Sequence, residues 1–223
     1  MADKTFDRRV LGDGALEFIR ACQRRVPCHL GGGAALSGAH LSHRLSADID
    51  LFCHQREEHR ELVRLIGDVG AETNVAVEIV RDAGTFVRAA ITIPGQPLEL
   101  DLVYEALPDL EAPPPPVEGI TLESLTDLRA AKITCLLSRR EPRDLVDLMF
   151  LDRAGYPPEK DIPLALKKDA GIDPAILAWL LGQYPTRPLP IMLLPLAEDE
   201  LGAYRDDLRE RIRKIATPDE DQD

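Results

Sequence analysis

The stretch HLGGGAALSGAHLSHRLSADIDLF, residues 29–52, joins three consecutive glycines to two aspartates that lie inside an apolar run. The apolar residues around the aspartates predict a buried strand. Because residues two apart on a strand face the same side, Asp48 and Asp50 are expected to project together. Neighbouring carboxylates repel unless one is protonated or a cation bridges them. The pattern by itself favours two solvated acids at a strand start, and a divalent cation site is the alternative.

The order of the parts around these aspartates favours the cation site. A short apolar strand precedes the glycines, a helix is expected after them, and a later strand, LELDLV, carries Glu99 and Asp101. Glycines in a turn let a phosphate approach the backbone, and the amides at a helix start attract anions. Mg²⁺ binds carboxylates together with the phosphate oxygens of a substrate. Asp101 is the expected third carboxylate, with Glu99 on the same strand face as its competitor.

Composition limits the partners and the location of the protein. The chain has 223 residues and a formal net charge of −12, from 39 acidic and 27 basic residues. A protein whose whole surface binds phosphate backbones would be basic, so any contact with RNA is expected to be local. No apolar run approaches the ~20 residues of a membrane-spanning helix, and the first residues lack a signal-like apolar core. These features predict a cytoplasmic protein without membrane contact.

The spacing of cysteines and histidines does not predict zinc. The four cysteines show no paired CxxC spacing. His40 and His43 are three residues apart and could share a helical face, but no third ligand is evident in the sequence.

The chain is predicted to be α+β with two parts. Strands and helices alternate up to four consecutive prolines, residues 113–116, and the sequence after them is almost entirely helical. Proline cannot donate a main-chain hydrogen bond and prefers an extended conformation. We expect a core domain over residues 1–112 and a helical lobe over residues 117–223. Trp179, among apolar residues at helical spacing, is expected to lie in the core of that lobe.

Two motifs carry a family resemblance. Residues 31–52 resemble the nucleotide-binding motif of the DNA polymerase β-type nucleotidyltransferase superfamily. Residues 127–151, DLRAAKITCLLSRREPRDLVDLMFL, resemble the second-half signature of the AbiEii/AbiGii-type toxin nucleotidyltransferases. The residues that match this signature are Lys132, Arg139, Arg143, Asp144 and Asp147. The resemblance covers about residues 30–151 and implies a polymerase β-like core, a mixed sheet flanked by helices, followed by a helical C-terminal lobe.

The resemblance also implies an activity and a biological setting. It implies magnesium-dependent transfer of a nucleoside monophosphate from a nucleoside triphosphate to an acceptor, either RNA such as the end of a tRNA or a protein hydroxyl. Such a protein would act as the toxin of a toxin–antitoxin or phage-defence pair, and a cognate antitoxin would be its partner.

The resemblance assigns expected roles to individual residues in both parts of the chain. In the first part, Asp48, Asp50 and Asp101 would hold the metal and act in catalysis. In the second part, Lys132 would contact the triphosphate, and Asp144 would be a catalytic polar residue. The resemblance also implies that Gly32, Gly33 and Ser46 bind the nucleotide. Apart from the resemblance, a triphosphate needs cations nearby, and Arg139 and Arg143 are expected to supply them with Lys132. Arg44, just before Ser46, is expected to reach the nucleotide as well.

Two departures from the family pattern keep other readings open. Ala34 follows the glycines where the family has threonine or serine, and Ser37 lies too far along to replace it clearly. Glu99 stands where the family often has lysine. A degenerate, non-catalytic nucleotide-binding protein is therefore one alternative, and an antibiotic-type nucleotidyltransferase acting on small molecules is another. The segment around Asp144 is also compatible with a charged helix start held by salt bridges.

Overall fold

The computed structural model describes residues 4–93, 96–197 and 199–216, and the chain divides into two compact units, residues 1–124 and 125–223. The first unit contains a five-stranded sheet with helices, and the regular elements of the second unit are helices. The predicted α+β class is confirmed. No helix within the described ranges is both long and apolar enough to cross a bilayer.

The first unit is built on a mixed sheet in the order β1-β2-β5-β4-β3. β2 and β5 are parallel, whereas the other neighbouring strands are antiparallel. The strands are β1 (His29–Gly31), β2 (Asp48–Cys53), β3 (Ala76–Asp82), β4 (Phe86–Ile93) and β5 (Gln96–Tyr104). The helices are α1 (Asp13–Arg25), α2 (Gly32–Leu36), which continues as a π-helical turn (Ser37–Leu41), and α3 (Arg56–Thr73).

The two faces of this sheet differ because side chains alternate along each strand. In β2 the odd-numbered residues are buried, and the even-numbered residues, including both aspartates, are partly exposed. The same alternation in β5 buries Leu100 and Leu102, and in β4 it buries Ala89 and Ile91. The helix α3 contacts β2 and β5. One face of the sheet therefore belongs to the apolar core, and the other carries the charged residues.

The proline run lies within the first unit. After it, the backbone N–H of Leu30 donates to the carbonyl of Thr121, and the N–H of Glu123 donates to the carbonyl of Leu30, both at 3.0 Å. Residues 121–123 thus run beside β1. The boundary between the two units falls after Ser124, eight residues beyond the last of the four prolines.

The second unit contains α4 (Leu125–Ser138), α5 (Pro142–Arg153), α6 (Pro158–Lys168), α7 (Pro174–Leu181) and α8 (Glu200–Ala216). The segment of α6 contains prolines at positions 158 and 163. Pro158 is tolerated because the first residues of a helix need no N–H partner. Arg129 of α4 binds Asp161 of α6 through two contacts of 2.8 Å. This ion pair joins α6 to α4.

The expectation for Trp179 is wrong, because 60% of this residue is exposed. α7 is apolar all round, so its composition does not show which side faces inward. The structure buries Leu177, Ala178 and Leu181, and Trp179 projects from the other side of this short helix.

The sheet core predicts a clear contrast between two substitutions. Leu100→Ala removes a fully buried side chain of the central strand β5, and we expect it to lower the free energy of unfolding by about 2–5 kcal/mol. Val80→Ala on the edge strand β3, where 64% of the residue is exposed, should change it by less than about 0.5 kcal/mol. Urea denaturation followed by circular dichroism measures both. Equal effects would contradict this assignment of the core.

Candidate functional site

The pairing of β2 with β5 brings the predicted carboxylates together. Asp50 is in register with Asp101, and Asp48 is in register with Glu99. Strands in a sheet are about 4.8 Å apart, and residues in register on parallel strands face the same side. The four acidic side chains therefore form one group on the charged face, called here the carboxylate row. Register gives Asp101 the place beside Asp50 and gives Glu99 the place beside Asp48.

Arg88 is a cation of this face that the sequence analysis does not identify. It lies on β4 in register with Asp101. Its Nε and Nη2 donate to the two carboxylate oxygens of Asp101 at 2.8 and 2.7 Å, and its Nη1 lies 3.1 Å from Oε2 of Glu99. The hydrogen bonds with Asp101 raise the pKa of Arg88, and the charges of Glu99 and Asp48 add to the effect. Arg88 alternates with apolar neighbours in β4, which is the signal that places it on the charged face.

The glycine turn lies against the same row. Gly32 has a positive φ of 60°, which favours glycine, and a Cβ at this residue would overlap the carboxylate of Asp50. A Cβ on Gly33 would lie 2.7 Å from Nη2 of Arg44 and 3.1 Å from Oγ of Ser46. The structure thus brings together the glycines, the arginine, the serine and the metal-binding aspartate that the sequence predicts for this site.

Arg44 and Ser46 are buried, and the side chain of each donates a hydrogen bond to a backbone carbonyl. The Nη1 of Arg44 donates to the carbonyl of Leu45 at 2.8 Å, and the carbonyl of Arg44 accepts from the Ser37 hydroxyl at 2.6 Å. The Ser46 hydroxyl donates to the carbonyl of Asp48 at 3.3 Å. These bonds fix the loop that precedes β2. Ser37 therefore has a structural contact in the loop, and Ala34 is fully buried.

The donor atoms of the carboxylate row fit a hard divalent cation. Asp48, Asp50 and Asp101 offer only oxygen atoms, which Mg²⁺ prefers. Asp50 also lies directly against the glycine turn. Both oxygens of Asp101 already accept hydrogen bonds from the guanidinium of Arg88, so a cation at Asp101 would share those oxygens with it.

The second unit holds the other predicted residues in a buried charge cluster. Nζ of Lys132 lies 2.6 Å from Oδ2 of Asp147 and 3.4 Å from Oδ1 of Asp144. Arg139 binds Asp144 through Nε and Nη2, both at 2.9 Å. Lys132 is 3% exposed, and both aspartates are 0% exposed. In this structure the ammonium of Lys132 is therefore directed at carboxylates of its own unit.

Two consecutive helices, α4 and α5, place the residues of this cluster. Lys132 lies on α4, and α5 begins at Pro142, which places Asp144 in its first turn and Asp147 one turn later. Burial alone would lower the pKa of Arg139, but the hydrogen bonds with Asp144 and the nearby negative charges raise it overall. The Tyr184 hydroxyl, which the sequence analysis did not single out, donates to the carbonyl of Arg139 at 3.0 Å. The Nε of Arg143 lies 2.5 Å from Oε2 of Glu141.

Comparisons with known proteins identify a family. The family model described as "Nucleotidyl transferase AbiEii toxin, Type IV TA system" matches residues 20–223. Among curated proteins, no sequence matches the chain significantly.

Three solved structures share the fold. A provisionally assigned nucleotidyltransferase from H. pylori has a TM-score of 0.59 at 21% identity, covering 90% of this chain and 92% of that one. JHP933 from Helicobacter pylori has a TM-score of 0.57 at 20% identity, covering 93% and 94%. MenT4, a nucleotidyltransferase toxin from Mycobacterium tuberculosis H37Rv, has a TM-score of 0.53 at 16% identity, covering 94% and 86%.

The buried cluster of the second unit predicts a large cost for Lys132→Met. Removing the ammonium leaves the buried carboxylate of Asp147 without its 2.6 Å ion pair, and breaking such a pair costs about 3–5 kcal/mol. Arg143→Met removes a more exposed pair and should cost about 1 kcal/mol or less. Urea denaturation of the full chain measures both. If Lys132→Met were as stable as the parent, a structural role for the cluster would be excluded.

Proposed function

Because this chain belongs to the AbiEii nucleotidyl transferase toxin family, we propose that it transfers a nucleoside monophosphate from a nucleoside triphosphate to a hydroxyl acceptor, with Mg²⁺ held by the carboxylate row. The observation that supports this most directly is the register of β2 with β5. It sets Asp50 beside Asp101, with Asp48 on the same face. Three carboxylates on one face repel one another, and a divalent cation relieves that repulsion.

The glycine turn is suited to receive the phosphates of the nucleotide. Gly32 and Gly33 carry no side chain above the backbone at the point where β1 enters α2, so a phosphate can approach their amides. The carboxylate of Asp50 lies directly against Gly32. A cation on Asp50 would thus be next to the phosphates that the turn binds. Arg44, buried beneath Gly33, adds positive charge at the same turn.

The reaction is a displacement at the α-phosphorus. The acceptor oxygen forms a bond to that phosphorus, the bond to the bridging oxygen breaks, pyrophosphate leaves and the acceptor proton is released. Bound Mg²⁺ would supply charge stabilisation for the attacking and leaving oxygens. Asp48, Asp50 and Asp101 hold the site in shape, and Arg88 fixes the orientation of Asp101 through its two hydrogen bonds.

The roles of the second unit toward the nucleotide remain predictions. Lys132, Arg139 and Arg143 are expected to offset the charge of the triphosphate, and Asp144 is expected to act in catalysis. The buried cluster gives Lys132 and Asp144 a structural contact as well. A variant at either residue therefore needs a stability measurement beside the activity measurement before a loss of activity is assigned to chemistry.

For the acceptor and the partner we propose chemical classes rather than single molecules. RNA, such as the end of a tRNA, and a protein hydroxyl are both acceptors of the right chemistry. The net charge of −12 favours a local contact with RNA over an extended one. The family description names a toxin–antitoxin system, so we propose a cognate antitoxin as partner and the cytoplasm as the location.

The carboxylate row predicts how strongly each of four variants lowers the nucleotide-transfer activity. Asp50→Asn and Asp101→Asn should each lower transfer of labelled nucleotide about 100-fold or more, because loss of charge stabilisation worth several kcal/mol changes a rate tenfold per 1.36 kcal/mol. Glu99→Gln, at the exposed competitor position, should retain most of the activity. Glu78→Gln, on the exposed strand β3, is the control for charge alone. Transfer that survives Asp50→Asn would remove the metal site from this proposal.

A second experiment separates the acceptors. The protein is incubated with labelled nucleoside triphosphates and Mg²⁺, with total RNA, with a protein extract free of RNA, or with aminoglycosides. We expect label in RNA or protein that depends on Asp50. Label in aminoglycosides alone would favour the antibiotic-type enzyme. Calorimetry that detects no magnesium-dependent nucleotide binding would favour a non-catalytic protein.

A further inference from the structure

A group of metal-ligating side chains lies outside the carboxylate row. His29 is the first residue of β1, His54 follows the last residue of β2, and Asp109 lies in the segment after β5. One ligand atom from each of them falls within 4.8 Å of the others. We propose that His29, His54 and Asp109 bind a divalent transition metal of the zinc class, at a site separate from the proposed magnesium site.

The distances within this triad are close to those of a coordinated metal. Nε2 of His54 lies 3.1 Å from Oδ1 of Asp109, and Nδ1 of His29 lies 4.0 Å from Oδ2 of Asp109. Ligands at about 2.0–2.1 Å from a tetrahedral zinc ion are roughly 3.3 Å apart. The imidazole rings of His29 and His54 have their centroids 5.3 Å apart and are tilted by 57°. The three ligand atoms thus lie close enough together to share one ion.

The hydrogen bonding of His54 and Asp109 supports a metal over a simple polar contact. Despite their separation of 3.1 Å, His54 Nε2 and Asp109 Oδ1 form no hydrogen bond of proper geometry, and both atoms are buried. Nδ1 of His54 is likewise buried without a hydrogen bond. Buried polar atoms without hydrogen bonds cost free energy, and a bound ion is one of the features that accounts for them.

The fold produces this triad from residues far apart in sequence. His29 is in register with Phe52 on the antiparallel neighbour strand, so the two residues face the same side. His54 follows Phe52 by two residues and continues that side beyond the strand end. Asp109 lies in the segment that follows β5, the last strand of the sheet, and its carboxylate is next to the two histidines. Among the histidines, short spacing in the sequence singles out His40 and His43 only, and it gives no signal for residues that the fold brings together from separate segments.

The donor set indicates which metal would bind. Two imidazoles and one carboxylate suit zinc and related transition metals, whereas Mg²⁺ prefers oxygen ligands alone. The carboxylate row and this triad are therefore chemically distinct. Three protein ligands leave one tetrahedral position for water or another ligand.

The place of the triad suggests what the metal does for the protein. His29 lies two residues before Gly31, and His54 lies four residues after Asp50. An ion that joins β1, the end of β2 and the segment at Asp109 would hold together the strand pair that carries the glycine turn. The metal would then stabilise the first unit and position the turn, without touching the reacting atoms.

Metal binding by the full chain tests the proposal directly. After removal of metals, the protein is titrated with Zn²⁺ and with Co²⁺, and bound metal is measured by mass spectrometry and visible absorption. We expect one ion per chain and a Co²⁺ spectrum typical of nitrogen and oxygen ligands. His54→Gln and Asp109→Asn should each weaken binding about 100-fold or more, because even residues that only support a ligand contribute 10–100-fold. Saturating zinc should also raise the melting temperature by roughly 5 °C.

Two control variants keep the outcomes distinct. His40→Gln changes a histidine that contacts Lys4 outside the triad, and Asp50→Asn changes the carboxylate row. Both should bind zinc as the parent does, whether or not the proposed transfer activity exists. Circular dichroism confirms that each variant is folded. No tight zinc binding by the parent, equal binding by His54→Gln, loss of binding in Asp50→Asn, or a thiolate charge-transfer band with Co²⁺ would each overturn the proposal.

Discussion

The parallel pairing of β2 with β5 is the constraint on which the candidate site depends. It sets Asp50 level with Asp101 and Asp48 level with Glu99, on one face of the sheet. A shift of one residue would turn one strand's acids toward the apolar core, because side chains alternate. The fully buried residues of the opposite face, Ile49 and Leu100 among them, oppose such a shift. The same hydrophobic packing that stabilises the sheet therefore fixes the spacing of the carboxylates.

The aspartates of both units lie close to other carboxylates, and their negative charges repel one another. In each unit an arginine reduces this repulsion by binding one of the aspartates. In the first unit, Arg88 binds both oxygens of Asp101 and contacts Glu99. In the second unit, Arg139 binds both oxygens of Asp144. A guanidinium suits this role because its planar fork matches a carboxylate and stays charged when buried. Both arginines hold in place an aspartate to which the sequence assigns a catalytic role.

Local sequence patterns predicted much of the first unit, and they failed where local signals were ambiguous. The glycines, the DxD pair and the alternation in β5 are short-range features, and the structure places them together as expected. Trp179 was misplaced because α7 is apolar on every side. The neighbouring helices decide which side of α7 is buried, and the sequence of α7 alone does not show where those helices lie.

The fold class, the residues of the carboxylate row and the motifs that match the family are all evident from residue types at short spacing. The partners of those residues become known once the chain is folded. Arg88 forms an ion pair with Asp101, and Lys132 forms one with Asp147. The triad of His29, His54 and Asp109 comes from three separate segments of the chain. The physical reason is that strand register and helix packing are set by burial over the whole unit. Contacts between distant residues follow from that packing and leave no local pattern.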